Sequence, residues 1–124
     1  MAKMPLISGG GSSTQTIPIT DVLDSTSYIN ASSSWAVRQG NLLFLSIYTS
    51  TRGVGWETNA GNFKAPYVPK VEDTWVAATG ETGACDGVIA ALIRNGVGYL
   101  TYYIKTPDPN SNTNALRALL IYPI

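Results

Sequence analysis

Residues 85–105 carry the clearest structural pattern in the chain, and they read CDGVIAALIRNGVGYLTYYIK. Two runs of strand-forming residues, 85–93 and 97–105, flank the dipeptide Asn95-Gly96. Asn-Gly readily adopts the two positive φ values of a type I′ turn, whose twist matches that of antiparallel strands. We therefore predict that the two runs pair as an antiparallel hairpin.

A second hairpin is predicted from residues 34–49. Trp35 and Val37 fall at alternate positions before Gly40-Asn41, and residues 42–49 form a mostly apolar run rich in strand formers. A Gly-Asn dipeptide can turn one strand back into the next. If the strand pleat marks the buried faces of both hairpins, the core includes Phe44, Leu45, Ile47, Ile89, Leu100 and Ile104.

The rest of the chain also has the pattern of strands. Residues 74–79 and 116–122 are predicted strands, and residues 17–20 and 28–31 are weaker candidates. Residues 115–120, ALRALL, have helical propensity, but the run is too short to form a helix by itself. Strands about every ten residues, joined by loops of Gly, Pro and Asn, predict an all-β fold, an antiparallel β-sandwich of jelly-roll type.

Length and composition predict one domain. The chain has 124 residues, which leaves no room for a second independent core. Residues 1–16 end in a Gly/Ser-rich run and are predicted to be a flexible lead. A cloning remnant is the alternative for residues 1–4. The single β-sandwich domain is then expected over residues 17–124.

Composition excludes several classes of function. Eight Lys and Arg residues balance eight Asp and Glu residues, so no electrostatic footprint for nucleic acid or an anionic membrane is present. The chain has no His, and Cys85 is its one cysteine, which excludes His-based triads, His or Cys zinc sites and an internal disulfide. We expect Cys85 to be a packed apolar side chain, and we expect no cofactor. The sequence also predicts no signal peptide and no membrane insertion.

The charged fraction points to self-association. Charged residues make up 13% of the chain, about half of the roughly 25% usual for soluble domains. A wide uncharged surface predicts burial against identical subunits. Solubility provided by Thr and Asn alone is the alternative.

Carboxylates and a loop rich in oxygen ligands are weak candidates for chemistry. A glycoside hydrolase can work with two carboxylates, but no recognisable pair occurs among Asp21, Asp24, Glu57, Glu72, Asp73, Glu81 and Asp86. Residues 107–114 resemble the first half of a calcium loop, yet Thr113 and Leu119 stand where Gly and Glu are needed. Surface solvation and an exposed loop are predicted instead, and no metal site is expected.

Trp56 is the best candidate for ligand contact. Saccharide sites commonly pair an aromatic face with a few polar groups, and Trp56 lies in a Gly-rich stretch with Arg52, Glu57 and Asn59. We predict a saccharide site from these four residues, with residues 107–114 as the next choice. A Trp that only caps the end of the sandwich is the alternative. Trp35 and Trp75 fall in strand patterns and are predicted to be core or subunit contacts.

The layout resembles the C-terminal head domain of bacteriophage tail-fibre and baseplate receptor-binding proteins. The resemblance covers residues 34–124 and is carried by Val37-Arg38-Gln39-Gly40-Asn41 running into the apolar strand, by Ala65-Pro66-Tyr67-Val68-Pro69, by the Asn95-Gly96 hairpin and by a final strand at the chain end. It implies a homotrimer of β-sandwiches that recognises a host-surface saccharide. It also implies synthesis in the host cytoplasm, a place in the phage tail of the virion and contacts with other phage tail proteins.

The principal expectation is therefore non-enzymatic adhesion to a host-cell saccharide, with weak sites multiplied by avidity. A structural virion decoration protein without a ligand is one alternative. A carboxylate-dependent glycan hydrolase is the other.

Overall fold

The computed structural model describes residues 13–50, 57–80, 85–106 and 115–124. Its elements in chain order are β1 (Thr14–Ile17), α1 (Ile19–Val22), a 3-10 turn (Ala31–Ser33), β2 (Trp35–Gln39), β3 (Leu42–Tyr48), β4 (Glu57–Asn62), β5 (Asp73–Thr79), β6 (Asp86–Arg94), β7 (Val97–Thr106) and β8 (Arg117–Pro123). The chain is all-β, as predicted. No helix in the described part of the chain is long and apolar enough to cross a membrane.

Both predicted hairpins are confirmed. Strands β6 and β7 pair antiparallel around Asn95 and Gly96, whose φ angles are 53° and 79°. Strands β2 and β3 pair antiparallel around Gly40, whose φ is 59°. The positive φ values explain why Asn and Gly occupy these turns, since other residues are strained there.

Three local predictions change. Strand β1 begins at Thr14, within the predicted lead of residues 1–16, and pairs with β2. Residues 17–20 are not a strand, because β1 ends at Ile17 and a helical turn follows after Pro18. Strand β4 was not predicted, because ETNAGN has a single β-branched residue, Thr58, and no aromatic residue to mark a strand.

The described strands form one curled antiparallel sheet of eight strands in the order β1-β2-β3-β8-β5-β6-β7-β4. Strands β5 and β8 share one register pair among the described residues, Thr79 with Arg117. The sheet thus divides into two halves of four strands each. At the other side, Leu23 bridges to Phe63, and the amide of Asp24 donates to the carbonyl of Asn62 at 2.9 Å. This contact brings the chain after β1 to the end of β4.

The core lies inside the curl and takes side chains from both halves. Five of the six predicted core residues, Leu45, Ile47, Ile89, Leu100 and Ile104, have no exposed surface. Phe44 was wrongly included: it is only half-buried, because it lies on the opposite side of the pleat from Leu45. Cys85 is buried, as predicted. Trp35 and Trp75 are 47% and 54% exposed, so neither belongs to the core.

Candidate functional site

A cleft opens on the outer face of the half formed by β5, β6, β7 and β4. Its volume is about 420 Å³, and it is lined by Glu57, Trp75, Val88, Thr101, Tyr102 and Tyr103. Trp75 is 54% exposed and Tyr103 is 37% exposed, which is unusual for large aromatic side chains. The cleft therefore presents two aromatic surfaces to solvent beside a carboxylate.

The strand register explains how this cleft forms. One cross-strand row of the outer face contains Ala77, Val88, Tyr103 and Glu57, and the next contains Trp75, Ala90, Thr101 and Asn59. Successive rows on one face come from every second residue of each strand. Ala90 and Thr101 are small and buried, and they lie between the large side chains of Trp75 and Tyr103. A depression remains where these small residues stand.

The carboxylate of Glu57 is oriented by a buried hydroxyl. Thr101 Oγ1 lies 3.2 Å from Oε2 of Glu57 and 3.0 Å from the carbonyl oxygen of Thr58, so the hydroxyl proton is shared between two acceptors. Thr101 is only 1% exposed. This contact holds one carboxylate oxygen against β7, while the side chain as a whole is exposed.

An ion pair lies next to Trp75 on β5, outside the lining of the cleft. Nη1 of Arg94 donates to Oδ1 of Asp73 at 2.6 Å, and Nη2 donates to Oδ2 at 3.4 Å. The hydrogen bond from Arg94 lowers the pKa of Asp73, and a hydrogen bond from the side chain of Trp75 lowers it further. Asp73 and Trp75 lie on the same face of β5, two residues apart. The ion pair thus fixes the carboxylate of Asp73 two positions along β5 from Trp75.

The structure brings part of the predicted site to this cleft. Glu57 begins β4 and lines the cleft. Asn59 lies on the same face, but its Oδ1 accepts a hydrogen bond from the amide of Gly61 at 2.9 Å, where the β4 register shifts. Arg52 and Trp56 lie outside the described residues, as does the loop of residues 107–114, so these predictions stay predictions.

Sequence reasoning did not find Trp75, Tyr103 or Thr101 as site residues. Trp75 fits a strand period, and the period alone does not tell which face is solvated. The usable sign is the pairing of Trp75 with Ala90 across β5 and β6, a large residue opposite a small one. That pairing requires the register, which the sequence leaves open until the hairpins are aligned.

The chemistry of this cleft suits binding of a polar ligand that has apolar faces. The flat faces of Trp75 and Tyr103 can pack on sugar C–H groups, and Glu57 can accept hydrogen bonds from hydroxyls. Among the described lining residues, Glu57 is the one carboxylate. No three His, Cys, Asp or Glu side chains within the described ranges come together as metal ligands.

No protein-family model matches this sequence, and neither a curated protein nor a solved structure matches it.

Proposed function

We propose that the protein is a non-enzymatic adhesin that binds a host-surface saccharide in the cleft between Trp75, Tyr103 and Glu57. The observation that carries the proposal is the exposure of two aromatic side chains beside a hydrogen-bonded carboxylate. Aromatic rings that line a concave surface beside a polar group are typical of ligand sites. A carboxylate held by Thr101 loses little freedom when it accepts ligand hydroxyls, which favours affinity.

The proposed setting is the receptor-binding head of a phage tail, made in the host cytoplasm and carried on the virion beside other tail proteins. The resemblance of residues 34–124 to such heads supports this setting. The proposed assembly is a homotrimer, supported by the low charged fraction of 13%. Three weak sites on one particle bind a repetitive surface far more tightly than one site does.

The proposed architecture within this setting is a β-sandwich of jelly-roll type. The division into two four-stranded halves that meet through Thr79 and Arg117 supports two facing sheets. Strands β5, β6 and β7 are joined consecutively, and β4 lies beside β7, which is a Greek-key order. Greek keys are the usual connection of β-sandwiches.

The two rival functions make different demands on the same surface. A glycan hydrolase requires a second carboxylate within about 5 to 9 Å of the first, and the described lining residues supply Glu57 alone. A decoration protein requires no exposed aromatic cleft. Binding without cleavage is thus the function that the geometry supports best.

The test starts with a glycan array, which identifies a ligand, followed by calorimetric titration of a short soluble form of that glycan. Trp75→Ala should weaken binding about 10- to 100-fold through loss of roughly 1 to 3 kcal/mol of stacked surface. Val97→Ala is the matched control, because Val97 is 46% exposed and lies near the hairpin turn. It should bind like the unmodified protein.

Other outcomes would favour a different binding site, a decoration protein or a glycan hydrolase. Equal affinity of the Trp75→Ala and Val97→Ala variants would move the site away from the cleft. Absence of any glycan ligand would favour the decoration protein. Shortened products after incubation with a bound polysaccharide would show a hydrolase.

A further inference from the structure

A second outer face, on strands β2, β3 and β8, is covered by apolar side chains. The outward positions carry Trp35, Val37, Leu42, Phe44, Leu119 and Ile121. Trp35 is 47% exposed, Leu42 42%, Leu119 45% and Ile121 47%. We call these six residues the apolar face.

The register shows that the apolar face is continuous. Val37, Phe44 and Ile121 form one cross-strand row. Trp35 and Leu119 lie in the next row, with Ser46 between them. In a sheet with one face in water, apolar and polar residues normally alternate along each strand. Strands that are apolar on both faces are typical of sheets that are buried on both sides. The pattern of β3, LLFLSIY, is of the second kind.

Charge favours a second copy of this chain as the occupant. Strands β1, β2, β3 and β8 contain no Asp or Glu. The one charged side chain on the outer side of these strands is Arg117, whose guanidinium carbon lies 4.4 Å from the centroid of the Tyr48 ring. A contact between two copies would therefore bury no carboxylate, and the net charge of zero leaves no long-range repulsion between the copies.

The size of the apolar face also fits a subunit contact. With full side-chain areas of about 150 to 250 Å² for the larger residues, the six side chains expose on the order of 400 Å² of apolar surface. A stable interface buries about 800 Å² per partner, of which about 65% is apolar in homodimers. The apolar face alone supplies most of the apolar area that such an interface needs, and the exposed polar residues Thr14, Thr16 and Gln39 border it.

The two sides of the apolar face differ in shape. Leu119 and Ile121 project from β8, at one side. At the opposite side, beyond β2, a depression of about 410 Å³ lies next to Trp35 and is lined by Thr16, Ile17 and Ala31 among others. A projection on one side and a depression on the other allow a head-to-tail contact. Such contacts form a closed ring when the rotation from one copy to the next completes a full turn, and a trimer requires 120° per copy.

We propose that a second copy of this chain packs on the apolar face, with Leu119 and Ile121 of one copy seated in the depression beside Trp35 of the next. The inference rests on the homotrimer of the proposed function and assigns the surface that forms it. The saccharide cleft lies on the outer face of the other four-stranded half. Assembly through the apolar face therefore leaves every cleft open to a ligand.

The first experiment measures mass by light scattering for the unmodified chain and two glutamate variants. The unmodified protein should have three times the 13.2 kDa mass of one chain. Ile121→Glu should have the mass of one chain, because three carboxylates cannot be buried without partners. Val97→Glu, which is equally exposed but lies outside the apolar face, should keep the full assembly. Circular dichroism establishes that both variants are folded.

A single-chain mass for the unmodified protein at every concentration would overturn the inference. So would an Ile121→Glu variant that assembles as well as Val97→Glu. These masses test assembly alone. Saccharide binding is tested separately, by titrating the Ile121→Glu variant with a short glycan. Retained single-site affinity together with a loss of binding to glycan-coated surfaces by about 10² to 10⁴ is the expected combination.

The second experiment tests which sides meet. Trp35→Lys alone should also prevent assembly, whereas Trp35→Lys combined with Ile121→Glu in one chain should restore it, because each new lysine then faces a glutamate of the neighbouring copy. Restored mass supports the head-to-tail contact. Failure of the double variant, when both single variants are folded single chains, would overturn that contact.

Discussion

The buried hydroxyl of Thr101 lies 3.2 Å from Oε2 of Glu57. It connects the carboxylate of the cleft to β7, the strand that also supplies Tyr103. An exposed glutamate normally samples several rotamers and loses that freedom on binding. The contact with Thr101 already restricts the Glu57 side chain in the free protein, so less conformational entropy is lost on binding. The cleft is in this sense preorganised.

The charge of Glu57 can be tested apart from its position. Glu57→Gln keeps an oxygen that can accept from Thr101 but removes the charge. Hydrogen bonds to charged groups contribute about 1.5 to 3 kcal/mol, against about 0.5 to 1.5 kcal/mol for neutral ones. We expect the affinity for the glycan to fall about tenfold at an unchanged melting temperature. Glu72→Gln, at an exposed position outside the cleft, is the control. Equal affinities of the two variants would mean that the charge of Glu57 does not contribute to binding.

The hairpins could be predicted from the sequence because their determinants are local. Asn95 and Gly96 set the turn, and the turn sets the register of β6 and β7. Strand β4 and the cleft could not be predicted, because both depend on pairing between distant segments. Glu57 pairs with Tyr103 only because a long connection brings β4 beside β7. The local sequence ETNAGN does not predict that pairing.

The apolar face shows a different limit of sequence reasoning. Phe44 and Leu45 are both large and apolar, and the prediction from the strand pleat included both in the core. A strand must put them on opposite sides. The sequence of β3 is apolar on both faces, whereas the packing within one chain fully buries only one of these faces.

Core truncation tests the assignment of the inner face. Ile89 has no exposed surface, and Ile89→Ala should lower the free energy of unfolding by about 2 to 5 kcal/mol, because a cavity remains inside the curl. Val71→Ala, at a position that is 40% exposed, should change it by less than about 0.5 kcal/mol. Urea unfolding at a fixed protein concentration measures both values, and similar midpoints would contradict the assigned core.

Gly87 marks a close approach of β7 to β6. A Cβ at this position would run into the carbonyl oxygen of Tyr103 and lie 2.9 Å from Cδ1 of Leu116. Because a backbone atom cannot move aside without shifting its strand, Gly87→Ala should lower the free energy of unfolding by about 3 kcal/mol. Gly96→Ala is the control: its φ of +79° is unfavourable, but nothing lies within 4 Å, so about 1 kcal/mol is expected. A smaller loss for Gly87→Ala than for Gly96→Ala would contradict the close packing of the two strands.

Tyr122 should control stability at alkaline pH. Its side chain is 1% exposed, its hydroxyl donates to the carbonyl of Tyr67 at 3.1 Å, and burial raises the pKa of that hydroxyl well above its ordinary value. The unfolded chain loses the proton near pH 10, whereas the folded chain keeps it. The contribution of Tyr122 is therefore fully present below about pH 10 and falls by up to about 1.4 kcal/mol per pH unit above it.

Tyr122→Phe isolates this effect, because the ring keeps its edge contact with Phe63, at 5.6 Å between centroids. The variant should be about 1 kcal/mol less stable at neutral pH through loss of the hydrogen bond. Its stability should then decline less steeply between pH 10 and pH 11 than that of the unmodified protein. Urea unfolding across this range measures both slopes. Parallel curves would mean that the hydroxyl ionises equally in the folded and unfolded chains, which is incompatible with its burial against the backbone of Tyr67.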